Sequence, residues 1–172
     1  MPNGIKLLIL LFLLSSSIQA QRPMALIKNG DEAMAVADYY TAIHYFQQAL
    51  EQKPTLDTRY RLAEAARQFK AYELAIEHYE EIQKGSGLQQ FPNTLYGLAI
   101  CYQGIGNYAD AVTTLDNYLA GENIHKPYLA AAQKMLEDCH WALAQAAGND
   151  WDIKRLPRRI NSPYGEFGAV KS

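Results

Sequence analysis

The sequence predicts an all-α solenoid, three helical hairpins stacked in a row and closed by one further helix. Three observations carry that prediction. A Tyr-x-x-Ala-[Ile/Val] pattern occurs at Tyr39 to Ile43, at Tyr72 to Ile76 and at Tyr108 to Val112. The alanines of the three copies, Ala42, Ala75 and Ala111, stand 33 and 36 residues apart, a spacing that marks a repeated helix–turn–helix unit. Around each alanine the same apolar frame recurs at helical intervals.

That frame justifies the elements one by one. Phe46, Tyr79 and Leu115 follow the alanines by four, and Ala49, Ile82 and Tyr118 follow by seven. These offsets place all of them on one face of the second helix of each hairpin. Twelve residues before the alanines stand Gly30, Ala63 and Ala99; nine before stand Ala33, Ala66 and Tyr102. Mostly small, these residues let the first helix approach the second closely. Helices are therefore expected over 23–36 and 39–52, 56–69 and 72–84, 92–105 and 108–120. Gly85-Ser86-Gly87 and Pro92 bracket the longest inter-repeat loop, and Pro92 or Asn93 can open the next helix. A seventh helix is expected over 127–147, with Leu129, Ala132, Met135, Leu136, Cys139 and Leu143 on one face and Gln133, Lys134, Glu137 and Asp138 on the other. A polar outer face suits a terminal cap, which repeat arrays need because each unit buries its apolar surface only against a neighbour.

Gly104-Ile105-Gly106-Asn107-Tyr108-Ala109 has the letters of a dinucleotide-binding fingerprint. That fingerprint requires a preceding strand, and here a helix precedes it. The glycines instead end one helix and allow a left-handed turn into the next.

Taken together, these residues resemble the tetratricopeptide repeat. The third copy fits best, with Leu95, Leu98, Ala99, Tyr102, Gly106, Tyr108, Ala111, Leu115 and Leu119 in place. The first supplies Leu26, Gly30, Tyr39, Ala42, Phe46, Ala49, Leu50 and a closing Pro54; the second departs at Arg59, where a large apolar residue is usual, and no proline closes it. The resemblance covers about residues 23–120. It implies a right-handed superhelix whose first helices line a concave groove for a protein or peptide. The matching inward positions are Met24, Ile27, Asp31 and Met34, then Tyr60, Glu64, Arg67 and Gln68, then Asn93, Tyr96, Ile100 and Gln103. Tyr60 and Tyr96 share a repeat position and are expected to stack as an aromatic ladder with Ile27, or else to cover the helix seams. Arg67, Asn93 and Gln103 offer directed donors for a peptide backbone or carboxylate.

Residues 1–20 read differently from the rest. A short positive start to Lys6, an apolar run from Leu7 to Leu14 and a small polar stretch to Ala20 lay out a secretory signal, with cleavage expected after Ala20. The apolar run is far short of the roughly 20 residues that span a bilayer. An exported chain, periplasmic or associated with the outer membrane, is the expectation. The repeat domain then occupies 21–147 and a basic, proline-containing extended tail 148–172. Within that tail, Asn161-Ser162-Pro163-Tyr164-Gly165-Glu166-Phe167-Gly168 resembles the junction at which tetratricopeptide repeats lead into a β-propeller and an OmpA-like domain in exported envelope proteins of the Bacteroidetes type. That resemblance implies either a part of such a larger protein, with its activity in the missing domains, or a tail used alone.

Composition and spacing give no sign of catalysis. A formal charge of -2 provides no basic excess for nucleic acid. His44, His78, His125 and His140 lack ligand spacing; His44 and His78 are expected on the surface of second helices. Glu73, Glu77, Glu80 and Glu81 read as a solvated face. No metal site, cofactor or enzyme activity is expected. In an oxidising compartment Cys101 and Cys139 would pair if their helices were neighbours; otherwise each behaves as a small hydrophobe. The expected function is an exported scaffold that binds a protein or peptide in its groove, in cell-envelope assembly.

Overall fold

Helix follows helix along the chain, joined by turns two or three residues long wherever a hairpin closes. The computed structural model describes residues 22–84, 86–121 and 126–148. Its elements are α1 (22–35), α2 (Tyr39–Gln52), α3 (Leu56–Phe69), α4 (Tyr72–Gln83), α5 (Gly87–Gln90), α6 (Thr94–Gly104), α7 (Tyr108–Leu119) and α8 (Lys126–Gly148). No strand occurs among the described residues. Helices pack on their neighbours in the chain: α2 on α3, α3 on α4, α4 on α6, α6 on α7 and α7 on α8. Alternate helices also touch, α3 with α6 and α6 with α8.

The three hairpin turns share one hydrogen-bond pattern. Asp38, Ala71 and Asn107 donate their backbone N–H to the carbonyls of Ala33, Ala66 and Tyr102, each at 2.9 Å. One residue earlier, Ala37, Lys70 and Gly106 donate to Met34, Arg67 and Gln103 at 3.1, 3.1 and 3.0 Å. This pair of bonds is the Schellman closure, which requires a left-handed residue just past the helix. The three residues concerned have φ of 59°, 65° and 78°. Only Gly106 adopts that conformation without a Cβ penalty. The next helix then starts on a polar cap in two of the three cases. Asp38 accepts from the N–H of Thr41 and Asn107 from that of Asp110, whereas Ala71 has no side chain to offer.

The repeat frame is the core. Ala42, Ala75, Ala111, Phe46, Tyr79, Leu115, Ala49 and Ile82 are all fully buried, and Tyr118 nearly so. Close approach of helices is visible at Gly30, where an added Cβ would lie 2.4 Å from the Phe46 ring. Two clusters divide the interior. One runs from Ala33 on α1 to Leu98 and Cys101 on α6; the other joins Ala99 on α6, Ala111, Leu115 and Tyr118 on α7, and Ala132 and Cys139 on α8. α6 is the partition between them. α8 covers the second cluster as a cap should, with Met135 and Leu136 packed against it. Leu129 departs from the expected cap face and stands at its exposed edge.

Element bounds differ from expectation in one region. The loop expected between 84 and 92 contains the single-turn helix α5, and α6 begins at Thr94 rather than at Pro92. Thr94 bonds back to the carbonyl of Phe91, so the chain makes a turn through Pro92 and Asn93 before the helix can start. The expected secretory signal, its cleavage site and the tail beyond 148 lie outside the described residues.

Candidate functional site

Two first helices, α3 and α6, present one side each to a common cleft. On α3 the spacing of Tyr60, Glu64, Arg67 and Gln68 places their side chains along one stripe. α6 contributes Tyr96, Gly97 and Ile100, preceded by Asn93 at its cap position, and α8 adds Tyr128. The cleft between them is ≈ 310 Å³. Gly97 keeps its floor open, since a Cβ there would lie 2.7 Å from the Tyr79 hydroxyl.

The walls are aromatic. Tyr60 stacks on Phe91 with ring centroids 4.4 Å apart and planes 11° apart, and meets Tyr79 edge-on at 6.3 Å. Tyr96 stacks on Tyr128 at 4.8 Å and leans on Tyr118 at 5.6 Å. The expected ladder of Tyr60, Tyr96 and Ile27 does not form. Each tyrosine spends its face on an aromatic that follows in the chain, and Ile27 packs into the first core cluster instead. Phe91, Gly97 and Tyr128 were not legible as site residues because they fall outside the repeat positions. A signal existed only for Gly97, a glycine inside an otherwise apolar helical run.

Beneath the walls lies a polar network. Glu64 accepts a hydrogen bond from the Tyr79 hydroxyl and pairs with Arg67 at 2.6 Å; Arg67 Nε also donates to the Tyr79 oxygen at 3.3 Å. Burial, then the neighbouring charge of Glu64, pushes Tyr79 well above the ordinary tyrosine range. Burial first and Glu64 second push Tyr60 up to about 12. Both hydroxyls stay protonated at any physiological pH. Glu64 beside it pairs the Arg67 guanidinium, one of the donors expected to hold a peptide backbone or carboxylate. Asn93 is different. Its Oδ1 is buried and has no hydrogen-bond partner.

The cleft thus gathers Tyr60, Glu64, Arg67, Gln68, Asn93, Tyr96 and Ile100, seven of the positions expected to face inward. It does not include Met24, Ile27, Asp31, Met34 or Gln103. Ile27 and Met34 are half-buried against the first cluster, and Asp31 is held by Arg61, which also binds Asp57 at 2.8 Å.

Of the two readings left open for the cysteines the structure gives the second, and two further expectations, on His78 and Glu80, are corrected. Cys101 and Cys139 are both buried and unbridged, because they point into different core clusters on either side of α6. Burial pushes the Cys101 thiol up to about 12. His78 is buried, not on the surface, and accepts a 3.2 Å hydrogen bond at Nδ1 from Arg59. It stands three residues after its repeat alanine, whereas His44 stands two after; one residue turns a helix by about 100°, enough to move a side chain from solvent to core. Glu80 also leaves the solvated face, accepting from the Tyr102 hydroxyl at 2.6 Å.

Among the described residues, no group of His, Cys, Asp and Glu is arranged to hold a metal ion, and no helix is long and apolar enough to cross a membrane. Comparison with protein-family models and with curated proteins finds no match to this chain.

Proposed function

We propose that this chain is an exported binding module of the tetratricopeptide type, a right-handed solenoid of three hairpins capped by α8, which holds a segment of another protein in the cleft between α3 and α6. The observation that carries the reading is the cleft itself, where two first helices bring Tyr60, Glu64, Arg67, Gln68, Asn93, Tyr96 and Ile100 together. Because Glu64 cancels the charge of Arg67, the cleft favours the neutral, amide-rich main chain of a peptide over a carboxylate. Its volume, near the lower end for ligand sites, suits one or two peptide residues rather than a cofactor. The role is binding, without catalysis.

Residues 1–20 support export to the periplasm or the outer membrane, and with it a role in cell-envelope assembly. A second reading rests on the Asn161 to Gly168 stretch, which favours a part of a larger envelope protein with a propeller and an OmpA-like domain. In that reading the same cleft docks a partner while other domains anchor the assembly.

The test is a pull-down from an envelope extract of the host with the parent chain and with Asn93→Leu. Asn93 makes no capping hydrogen bond through its side chain, so the variant removes the acceptor while leaving α6 its start. Loss of the parent's partners is expected; an unchanged set of partners, with the circular dichroism also unchanged, overturns the reading.

A further inference from the structure

Val36, Phe69 and Ile105 share one repeat position, six residues before the repeat alanine, and each directly precedes the left-handed residue of its hairpin turn. The backbone demand of the turn falls on that next residue, so its geometry calls for no apolar side chain here. Yet all three are apolar and exposed, at 75%, 50% and 41%, and Tyr40 is 69% exposed. They are not scattered. The Tyr40 and Phe69 rings lie 5.8 Å apart, which joins the first turn to the second. A Cβ added at Gly104 would strike the Tyr72 ring, so the third turn lies against the second. The result is an apolar ridge along the turn edge of the three hairpins. It is apart from the cleft between α3 and α6 and does not rest on the function proposed for that cleft.

Acids border the ridge. Asp38, Glu73 and Asp110 stand at the starts of α2, α4 and α7, all exposed, and among the described residues none of them is in an ion pair. Lys70 is the cation that the turns themselves carry. An apolar row with an acidic border suits a basic segment that also carries apolar residues. A second copy of the same edge, or an anionic lipid surface, would meet like charge.

The chain brings such a segment to this edge. Tyr128, near the start of α8, stacks on Tyr96, near the start of α6, so the two helices begin level. α6 stops at Gly104, whereas α8 continues to Gly148, about 12 residues or roughly 18 Å further along. Residues after 148 therefore leave on the ridge side, while α1 begins at residue 22, a helix length away at the opposite edge. Lys154, Arg155, Arg158 and Arg159 follow closely in sequence, with Leu156 and Ile160 among them and no acid between.

We propose that the turn edge is the docking surface for the chain's own basic segment, residues 151–160. Leu156 and Ile160 cover Ile105 and Phe69, and the four cations face the acids at the starts of α4 and α7. The reach is sufficient. An extended chain covers about 3.3 Å per residue, which carries Leu156 about 26 Å and Ile160 about 40 Å from Gly148. Neighbouring helices pack about 8–10 Å apart, so the turn after α6 and then the turn after α3 come within that span. The contact need not be strong. A tether of about ten residues presents the segment at an effective concentration on the order of millimolar, and weak contacts then hold it in place. Exposed ion pairs contribute little singly, but a row of them fixes the direction in which the segment lies.

The experiment places a photo-reactive benzoylphenylalanine at Phe69, or at the exposed Lys53 on the opposite edge, in the full chain. The dilute protein is irradiated and the products are mapped by mass spectrometry. A crosslink within one molecule is expected from position 69 to residues 151–160, and none from position 53. Reversing four charges with Lys154→Glu, Arg155→Glu, Arg158→Glu and Arg159→Glu should lower the yield by about tenfold while the helical circular dichroism stays unchanged. Leu156→Ser with Ile160→Ser should lower it as well, since the apolar cover is lost. No crosslink to 151–160 from position 69 overturns the proposal, and so does an equal yield from position 53. Crosslinks found only between two copies overturn it too, since they give the ridge to a second chain. A yield that survives both the charge reversal and the serine pair would show that the segment does not recognise this edge.

Discussion

Ala37 and Lys70 hold the left-handed turn conformation that Gly106 holds without strain. A side chain in that region costs about 1 kcal/mol relative to glycine. Ala37→Gly and Lys70→Gly are each expected to raise the free energy of unfolding read from urea denaturation, by about 0.5 kcal/mol or less once the greater freedom of the unfolded glycine is subtracted. Gly106→Ala should lower it by about 1 kcal/mol, and by backbone strain alone, since an added Cβ at Gly106 meets nothing within 4 Å. Gly97→Ala belongs to the other kind of glycine. Its Cβ would strike the Tyr79 hydroxyl and part it from Glu64, so a loss of about 1–3 kcal/mol is expected by urea denaturation, together with a distorted cleft. Cys101 supplies a chemical test at the same scale. Buried, with its thiol pushed up to about 12, it should resist a thiol-directed reagent at pH 8 in the native protein and react only on unfolding.

Among the elements, α8 has the largest single job. It closes the cluster of Ala99, Ala111, Leu115 and Tyr118, and it contributes Tyr128 to the cleft. Fully burying one large apolar side chain is worth about 1.5–3 kcal/mol, so uncovering this cluster costs an appreciable part of the roughly 5–15 kcal/mol that holds a domain together. A chain ending at residue 121 is expected to melt several degrees lower and to bind a hydrophobic dye. A melting curve identical to that of the parent would show that α8 is not a cap. Helix existence was legible because the Tyr-x-x-Ala frame repeats with a 3.6-residue face in every second helix. The start of α6 and the presence of α5 were not legible, since between the turn formers Gly85-Ser86-Gly87 and Pro92-Asn93 only Leu88 to Phe91 remain, too short a run to show a helical period before Phe91 packs on Tyr60. Seven cleft residues followed from repeat position alone. At the N-terminal end Asp31 pairs with Arg61 across two repeats, a contact that no single-repeat pattern encodes.

For the whole molecule, the buried tyrosines set an alkaline limit on stability. Tyr60 keeps its proton in the folded state up to about 12, against an ordinary value of 10.0 in the unfolded chain. Above the unfolded value the folded state binds more protons, so stability is full below about pH 10 and falls as the pH climbs toward and past 12. Tyr79 and Tyr102, also raised by burial first, act in the same direction. The urea midpoint should therefore drop between pH 9 and pH 11, and an equal midpoint at both would contradict the burial of these hydroxyls. The account rests above all on the cleft between α3 and α6 as the place where another protein is held. A photo-crosslinking residue at Gln68, exposed on the rim of that cleft, tests it directly against the same residue at Glu73, exposed elsewhere on α4. In an envelope extract of the host, the account predicts a partner captured from position 68, lost when Asn93→Leu is added, and absent from position 73. Equal capture from both positions, or capture at 68 that survives Asn93→Leu, would contradict it.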